Sequence, residues 1–335
     1  DATLSQRAQL AQQATQPGRT LIVAVVNDQP AWGGIVMDDP GGTEPTLDLS
    51  CISLEGYLLR RRVLDHTFNQ VDEAAIYAAL LGDAGPRQVP GLGLVGGIGL
   101  EIDAPTTGIR RDDTYRRSDR ATVYDRLRER MGRQGGLEWT IELLWGDDTH
   151  TWVRKVARVR PRIGVATATP SAVFETTANA VFSARGESAT TYIRRRDYTR
   201  GANWVEAYAT GEGEDQPSSA PAIDTTTLAA GWPIYERHWM PSSSITNQAV
   251  LDEHAQRDLA LRRNGARVWE IQARWNVYPR LNVDWRLGDD IAWNLHGHLH
   301  PDGVIGQGRA IGWELNPQEG NVRPILLDPT STGDE

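Results

Sequence analysis

The sequence predicts an α+β chain that is mainly β, and three observations carry that prediction. Short runs rich in β-branched and aromatic residues recur along the chain, separated by turns of Asn, Asp, Pro and Gly. Only three segments carry apolar residues at helical spacing. The few helices fall between β modules, the arrangement of an α+β chain dominated by sheet.

The elements follow in order. Thr20-Leu-Ile-Val-Ala-Val-Val is a β-branched run ending at the turn Asn27-Asp28-Gln29-Pro30. Trp32-Gly-Gly-Ile-Val-Met follows, then the turn Asp38-Asp39-Pro40-Gly41-Gly42, then an alternating strand over 46–54. Three strands with short turns make a meander, which needs a larger sheet because one hairpin alone is marginal. A helix is expected over 69–81, with Asp72 and Glu73 in its first turn, Ile76 and Leu80 on one stripe, and Gly82 ending it. A second is expected over 118–131, capped by Ser118, with Val123, Leu127 and Met131 at four-residue steps and Gly132 or Gly135 as its stop. Leu137, Trp139, Ile141 and Leu143 alternate with Glu138, Thr140 and Glu142 as a half-buried strand, and 152–159 reads as its partner. Short strands are expected at 180–184, 190–193 and 203–209, then an exposed Gly/Glu/Ser/Pro/Thr loop over 211–227. A third helix spans 247–263, with Leu251, Ala255 and Leu259 on one face and Asn264-Gly265 as its stop. The last strands fall at 268–275, 291–293 and 308–315. No fixed-period repeat is apparent.

Composition narrows the function. At 335 residues and 37.0 kDa, the length suggests two to three domains. No apolar run approaches the roughly 20 residues of a membrane helix. The start, Asp1-Ala-Thr-Leu, has neither a methionine nor a signal segment and reads as that of a trimmed chain. One cysteine excludes an internal disulfide, a Cys-rich zinc site and an iron–sulfur cluster. Cys51 alternates with Leu47 and Leu49 and is expected at a buried strand position. Basic residues divide into 34 Arg and one Lys, Lys155, a ratio that fits a GC-rich coding genome. A net charge of −9 repels a nucleic-acid backbone. The clusters Arg110-Arg111, Arg116-Arg117 and Arg194-Arg195-Arg196 are interleaved with acids and read as salt-bridged or solvated faces, with subunit contacts as the sharper alternative.

Several motifs invite chemistry and are outweighed. Gly91-Leu-Gly93-Leu-Val-Gly96 matches a dinucleotide fingerprint, but that motif needs a helix after it, and Gly97-Ile-Gly99 follows instead. A flexible glycine loop is the better reading. His296, His298 and His300 alternate, so one strand would put all three on one face, as a zinc or iron site requires. Gly297 and Pro301-Asp302-Gly303 point instead to a hairpin tip with solvent-facing histidines. Glu253-His254 and Glu236-Arg-His238 lack the second histidine of a zinc-protease helix, and there is no Gly-x-Ser-x-Gly elbow. Trp139, Trp269, Trp275 and Trp293 look like core, whereas Trp204, Trp232 and Trp239 lie near loops and could stack on sugars or pack at interfaces. The sequence nominates no catalytic residue, no cofactor and no metal beyond the histidine row. A cell-wall hydrolase is the weakest of the functional readings.

Ala31-Trp-Gly-Gly-Ile-Val, followed after a turn by Thr46-Leu-Asp-Leu-Ser-Cys-Ile-Ser-Leu-Glu-Gly-Tyr-Leu-Leu-Arg-Arg-Arg-Val, resembles the minor tail proteins that form the tail-tip hub of long-tailed actinobacteriophages. Gln70-Val-Asp-Glu matches that family's "Q-x-D-x-x-x-I/A" element. Gly108-Ile-Arg-Arg-Asp-Asp-Thr-Tyr, with the Val123–Met131 helix and Gly136-Leu-Glu-Trp-Thr-Ile, matches its "G-x-x-R-x-x-x-Y … L … G-x-x-F/W" pattern. Trp285-Arg-Leu-Gly-Asp-Asp-Ile and Arg309-Ala-Ile-Gly-Trp-Glu-Leu match a strand pair near its end. The resemblance implies β-barrel tube-type modules with α/β insertions: a first β module at 1–62 lacking its leading strands, an α/β insertion at 63–162, a second β module at 163–240 containing the 211–227 loop, and a helix with C-terminal strands at 241–335. It also implies a non-enzymatic virion protein at the tail tip, akin to baseplate hubs. Such a homotrimer would bind the distal tail protein, the tape measure protein and fibre or spike proteins, without membrane insertion. It would close the tube and open for DNA passage during host attachment and genome ejection, its Gly91–Gly99 and 211–227 loops touching neighbours. An acidic wall would let the duplex slide. The alternative is a carbohydrate-binding tail protein that meets the host envelope through exposed tryptophans.

Overall fold

The computed structural model describes residues 3–40, 47–133, 135–176, 188–211, 216–241, 245 and 247–328. The chain divides into two compact units, Asp1–Ile163 and Gly164–Glu335. Both are built mainly from strands, with a few helices. No described helix is long and apolar enough to cross a membrane.

The first unit opens with helix α1 (Leu4–Ala14), capped by Thr3. Strands β1 (Leu21–Val26) and β2 (Gln29–Asp38) then form a hairpin. Its two-residue turn puts Asn27 and Asp28 at positive φ, the geometry that matches strand twist. β3 (Ser50–Ser53) pairs on the other side of β2, completing the expected meander. The strand is shorter than the 46–54 alternation suggested. Thr46 lies outside the described residues, Leu47 is exposed, and at the far end the Ser53 hydroxyl accepts the Gly56 N–H at 3.1 Å, turning the chain into the short helix α2 (Leu54–Tyr57). Cys51 faces Val36 across the ladder and is half-buried, not buried.

The helix expected from 69 starts four residues later. β4 (His66–Asp72) takes up 69–72 as strand, with a bulge at 69–70 and Val71 and Asp72 paired to the strand over 110–115, and the Asp72 carboxylate accepts the Ala74 N–H at 3.0 Å to start α3 (Glu73–Gly82). The glycine-rich stretch is no flexible loop. β5 (Arg87–Val89) and β6 (Gly93–Val95) make a hairpin through it, and β7 (Leu100–Asp103) follows. β8 (Arg110–Tyr115) pairs antiparallel with β4. The next helix does not start at Ser118, because 117–119 form one 3-10 turn that Arg120 ends in the left-handed region. Thr122 instead caps α4 (Val123–Met131), reciprocally with Asp125. β9 (Glu138–Trp145) and β10 (Val153–Arg160) are the anticipated antiparallel pair, and β7 joins β10 in parallel. Lys155 stands midway along β10, opposite Leu143 on one side and Leu100 on the other. Leu54, Leu58, Ile76, Leu80, Leu127, Leu137 and Val159 belong to one buried core, shared by the first 62 residues and those that follow.

In the second unit, β11 (Val173–Glu175), β12 (Ala189–Asp197), β16 (Ala266–Arg274), β17 (Asp290–Gly297), β18 (His300–Asn316) and β19 (Asn321–Leu327) form a sheet of order β11-β17-β18-β19-β16-β12. Cross-strand neighbours share a face. One face therefore gathers Phe174, Ile291, Trp293, Leu295, Ala310, Leu326, Trp269 and Ile271, all buried. Gly306 makes room for Trp293, since a Cβ there would sit 2.7 Å from the indole. Among the described residues no closed barrel is found. Their ladder runs from edge to edge, and β11 meets the residue before β12 where Ser188 N–H donates to the Glu175 carbonyl at 3.1 Å and the Glu175 N–H to the Ser188 hydroxyl at 3.0 Å. Closure needs a continuous ladder between first and last strands, which these contacts do not provide.

β13 (Trp204–Ala207), β14 (Ala222–Ile223) and β15 (Glu236–Trp239) form a smaller sheet. The strand expected at 180–184 lies outside the described residues, as do 212–215 of the expected loop. The rest of that stretch is not simply a loop. It contributes β14, with Ala222 fully buried, and the start of the short helix α5 (Thr225–Ala229). Helix α6 (Gln248–Arg262) is capped by Asn247, and Leu251, Ala255 and Leu259 join Val205, Ala207 and Ala222 in one core. It thus packs on the strands preceding it, across the 240/241 boundary.

Candidate interaction surfaces

The residues with the most chemistry in the first unit are committed to holding it together. Arg130 is fully buried. It donates to the buried Glu73 carboxylate, to Asp113 at 2.6 Å and to the Tyr115 hydroxyl at 2.6 Å. Arg133 donates to Asp113 at 2.8 Å. The network ties the first turn of α3, strand β8 and the last turn of α4. Burial works to raise the Asp113 carboxyl, yet the two arginines outweigh it and hold the group below its usual range. Burial also pushes the Tyr77 phenol up, its hydroxyl donating to the Leu137 carbonyl at 2.8 Å.

The motif residues meet in the same region. Asp72 accepts the Gly108 N–H at 2.7 Å and the Thr107 N–H, and Gln70 pairs with Asp112 through its N–H and its amide, both at 2.6 Å. Gly108 sits at φ +79°, where an L side chain is strained. Arg61 donates to the Tyr57 hydroxyl at 2.7 Å. Gly33 permits close packing, because a Cβ there would meet Leu143 at 2.5 Å. Trp139 and Trp275 are half-buried, whereas Trp269 and Trp293 are core as expected. Of the arginine clusters, Arg111 faces Glu73 at 3.5 Å, Arg195 pairs with Glu270 at 2.6 Å, and Arg194 lies over the Trp269 ring.

The three histidines do not converge. His296 is in β17 and His300 in β18, with Gly297 paired to His300 across a two-residue turn that carries His298. The turn reverses the chain, so the alternation expected of a single strand is broken there. His300 Nδ1 lies 2.8 Å from the Tyr192 hydroxyl and its Nε2 3.1 Å from Arg194. His296 packs over Gly303 instead. Among the described residues, no three His, Cys, Asp or Glu side chains gather as metal ligands would.

Exposed apolar groups mark the surfaces available for contact. Leu92 and Leu94, at 71% and 72% exposure, project from the β5–β6 hairpin, and Leu299 and Ile305 do so from the β17–β18 hairpin. Leu92 and Leu94 were visible in sequence as the apolar members of the glycine motif, and Leu299 as the residue between two histidines. A third group is aromatic. Tyr198 lies edge-on to Trp232 and Tyr235 at 5.4 and 5.2 Å, with Trp232, Tyr235 and Ile234 all exposed. Of the three tryptophans placed near loops, only Trp232 is exposed. Trp204 and Trp239 lie half-buried in β13 and β15.

The whole architecture has solved counterparts. A tail protein from Neisseria meningitidis MC58 matches 92% of this chain and 84% of its own, at 14% identity and a TM-score of 0.59. The 43 kDa tail protein of prophage MuSo2 from Shewanella oneidensis matches 93% and 84%, at 12% identity and a TM-score of 0.56. The chain shares the fold of these tail proteins. The tail-protein fold thus accounts for both units, not for one alone. No family model matches the sequence, and no curated protein matches it.

Proposed function

We propose that the chain is a non-enzymatic structural protein of a phage virion, built into its tail. The observation that carries this reading is the fold shared with two tail proteins over more than nine-tenths of the chain. The ordered motifs around Trp32, Gln70, Gly108 and Trp285 support a finer reading, a hub at the tail tip. In that reading the chain is a homotrimer that closes the tube, anchors the distal tail, tape measure and fibre or spike proteins, and lets DNA pass without sequence-specific binding. The modules 1–62, 63–162, 163–240 and 241–335 are proposed as its building blocks. The net charge of −9 fits an acidic bore, along which few cations would trap phosphate.

Negative-stain electron microscopy of the purified chain at high concentration tests the hub. Class averages with three-fold symmetry and a central opening are expected, and rings of another symmetry would count against it. In a solved assembly, Asp and Glu should outnumber Arg on the lumen face, and an Arg-lined bore would contradict the channel. A second reading, recognition of envelope carbohydrate, is favoured by the exposed Trp232 and Tyr235 that pack around half-buried Tyr198, since flat aromatics stack on sugar faces. Tight binding on a glycan array that Trp232→Ala abolishes would move the assignment there.

A further inference from the structure

An acidic chain carries one strongly basic basin. Arg60, Arg61, Arg62, Arg87, Arg117 and Arg120 line a surface concavity of about 760 Å³ in the first unit, together with Leu64 and Gln88. Among the described residues no carboxylate lines it. Carboxylates adjoining the lining residues are engaged elsewhere: Asp83 accepts from the Leu64 N–H and sits 2.8 Å from His66, Asp119 pairs with Arg126, and Asp65 takes the backbone N–H of Arg117. Three of the arginines are held in place by backbone carbonyls. Arg61 donates to Asp83 and Gly85, Arg62 to Arg120, and Arg87 to Arg62 and Asp83. A carbonyl orients a guanidinium without neutralising it. Arg60, Arg117 and Arg120 are exposed above this floor.

The rim adds a second chemistry. Gln88 is the cross-strand partner of Leu94, so that exposed leucine stands on the face of the hairpin that borders the basin. A phosphodiester backbone has no use for an apolar rim. The net charge of −9 also repels a long polyanion, whereas a short segment inside a screening length of about 8 Å sees chiefly the six arginines. Arginine forks match carboxylates bidentately. We propose that this basin docks a carboxylate-rich segment of a protein neighbour, with an adjoining apolar side chain against Leu94. The inference does not rest on the tail reading, and any acidic partner chain would satisfy it.

The test is fluorescence anisotropy of the full chain with a labelled synthetic peptide of alternating Glu and Leu. Saturable binding that weakens with added salt is expected. The exposed triple variant Arg60→Gln/Arg117→Gln/Arg120→Gln should weaken it at least about tenfold, since charge-assisted pairs are the strong ones. The triple Lys variant should lose less, and Leu94→Ser should weaken binding with the charges intact. Circular dichroism checks that each variant is folded. No saturable binding, equal binding by the triple Gln variant, or tighter binding of a charge-matched duplex DNA than of the peptide would each overturn the proposal.

Discussion

Arg130 shows what a single buried charge does for this fold. It is the one arginine among the largest fully buried side chains, and Glu73 faces it with 1% exposure. Removing one member of such a pair leaves the other charged and desolvated. Arg130→Leu should therefore cost about 3–5 kcal/mol in urea unfolding, more than a surface Arg substitution such as Arg7→Leu. Arg130 went unnoticed in sequence because the α4 stripe was counted in steps of four, Val123, Leu127, Met131. The helix instead buries 123, 127 and 130, the three-residue step, and leaves Met131 exposed. His300 makes a second residue-scale prediction. Burial, with Arg194 beside it, holds its folded pKa below the ordinary value. Arg194 can only donate, so Nε2 accepts and the neutral ring fits the site. The unfolded chain then binds the proton more readily, and the contribution of this group is complete above pH of about 6.5 and lost as pH falls below it. The melting temperature should drop between pH 7 and 5, and His300→Asn should flatten that part of the profile. An unchanged profile in the variant would sink this assignment.

At the scale of elements, capping and close approach decide where strands become helices. Asp72 ends β4, caps α3 and grips the loop at Thr107 and Gly108. Donations from Thr107, Gly108 and Ala74 outweigh burial and keep its carboxyl below the usual range. Asp72→Ala should cost about 1–2 kcal/mol, measured by denaturant unfolding at neutral pH. Gly306→Ala should cost about 1–3 kcal/mol by overpacking, because the rigid Trp293 indole has little room to move. Helix α6 was legible end to end, since its apolar spacing, its Asn247 cap and its Asn264-Gly265 stop agree. The start of α3 was not. His66-Thr-Phe-Asn-Gln-Val-Asp has little strand pattern of its own, and its conformation comes from pairing with β8, 38 or more residues away. The three-residue strands of the β5–β6 hairpin are too short for any period to show.

For the molecule as a whole, each unit has its own buried core, and the prediction that belongs here is autonomy. A fragment of residues 164–335 should fold alone and melt cooperatively in circular dichroism. A featureless spectrum would contradict it. The mainly β class was readable because strand runs and turns punctuate most of the chain. The open form of the large sheet was not, because closure depends on hydrogen bonding between the edge strands β11 and β12, which no apolar period records. The hairpin at the histidine row was readable from Gly297, and the chain does reverse between His296 and His300, although the turn falls at 298–299 and not at Pro301-Asp302-Gly303. The solitary lysine on β10 has a practical consequence. Side-chain amines occur at one place, so an amine-reactive dye or cross-linker tags the first unit at Lys155 and can touch the second unit's side chains nowhere. In any assembly of this protein, a label that peptide mapping places on the lysine and not on the chain's α-amine then marks the first unit of each copy.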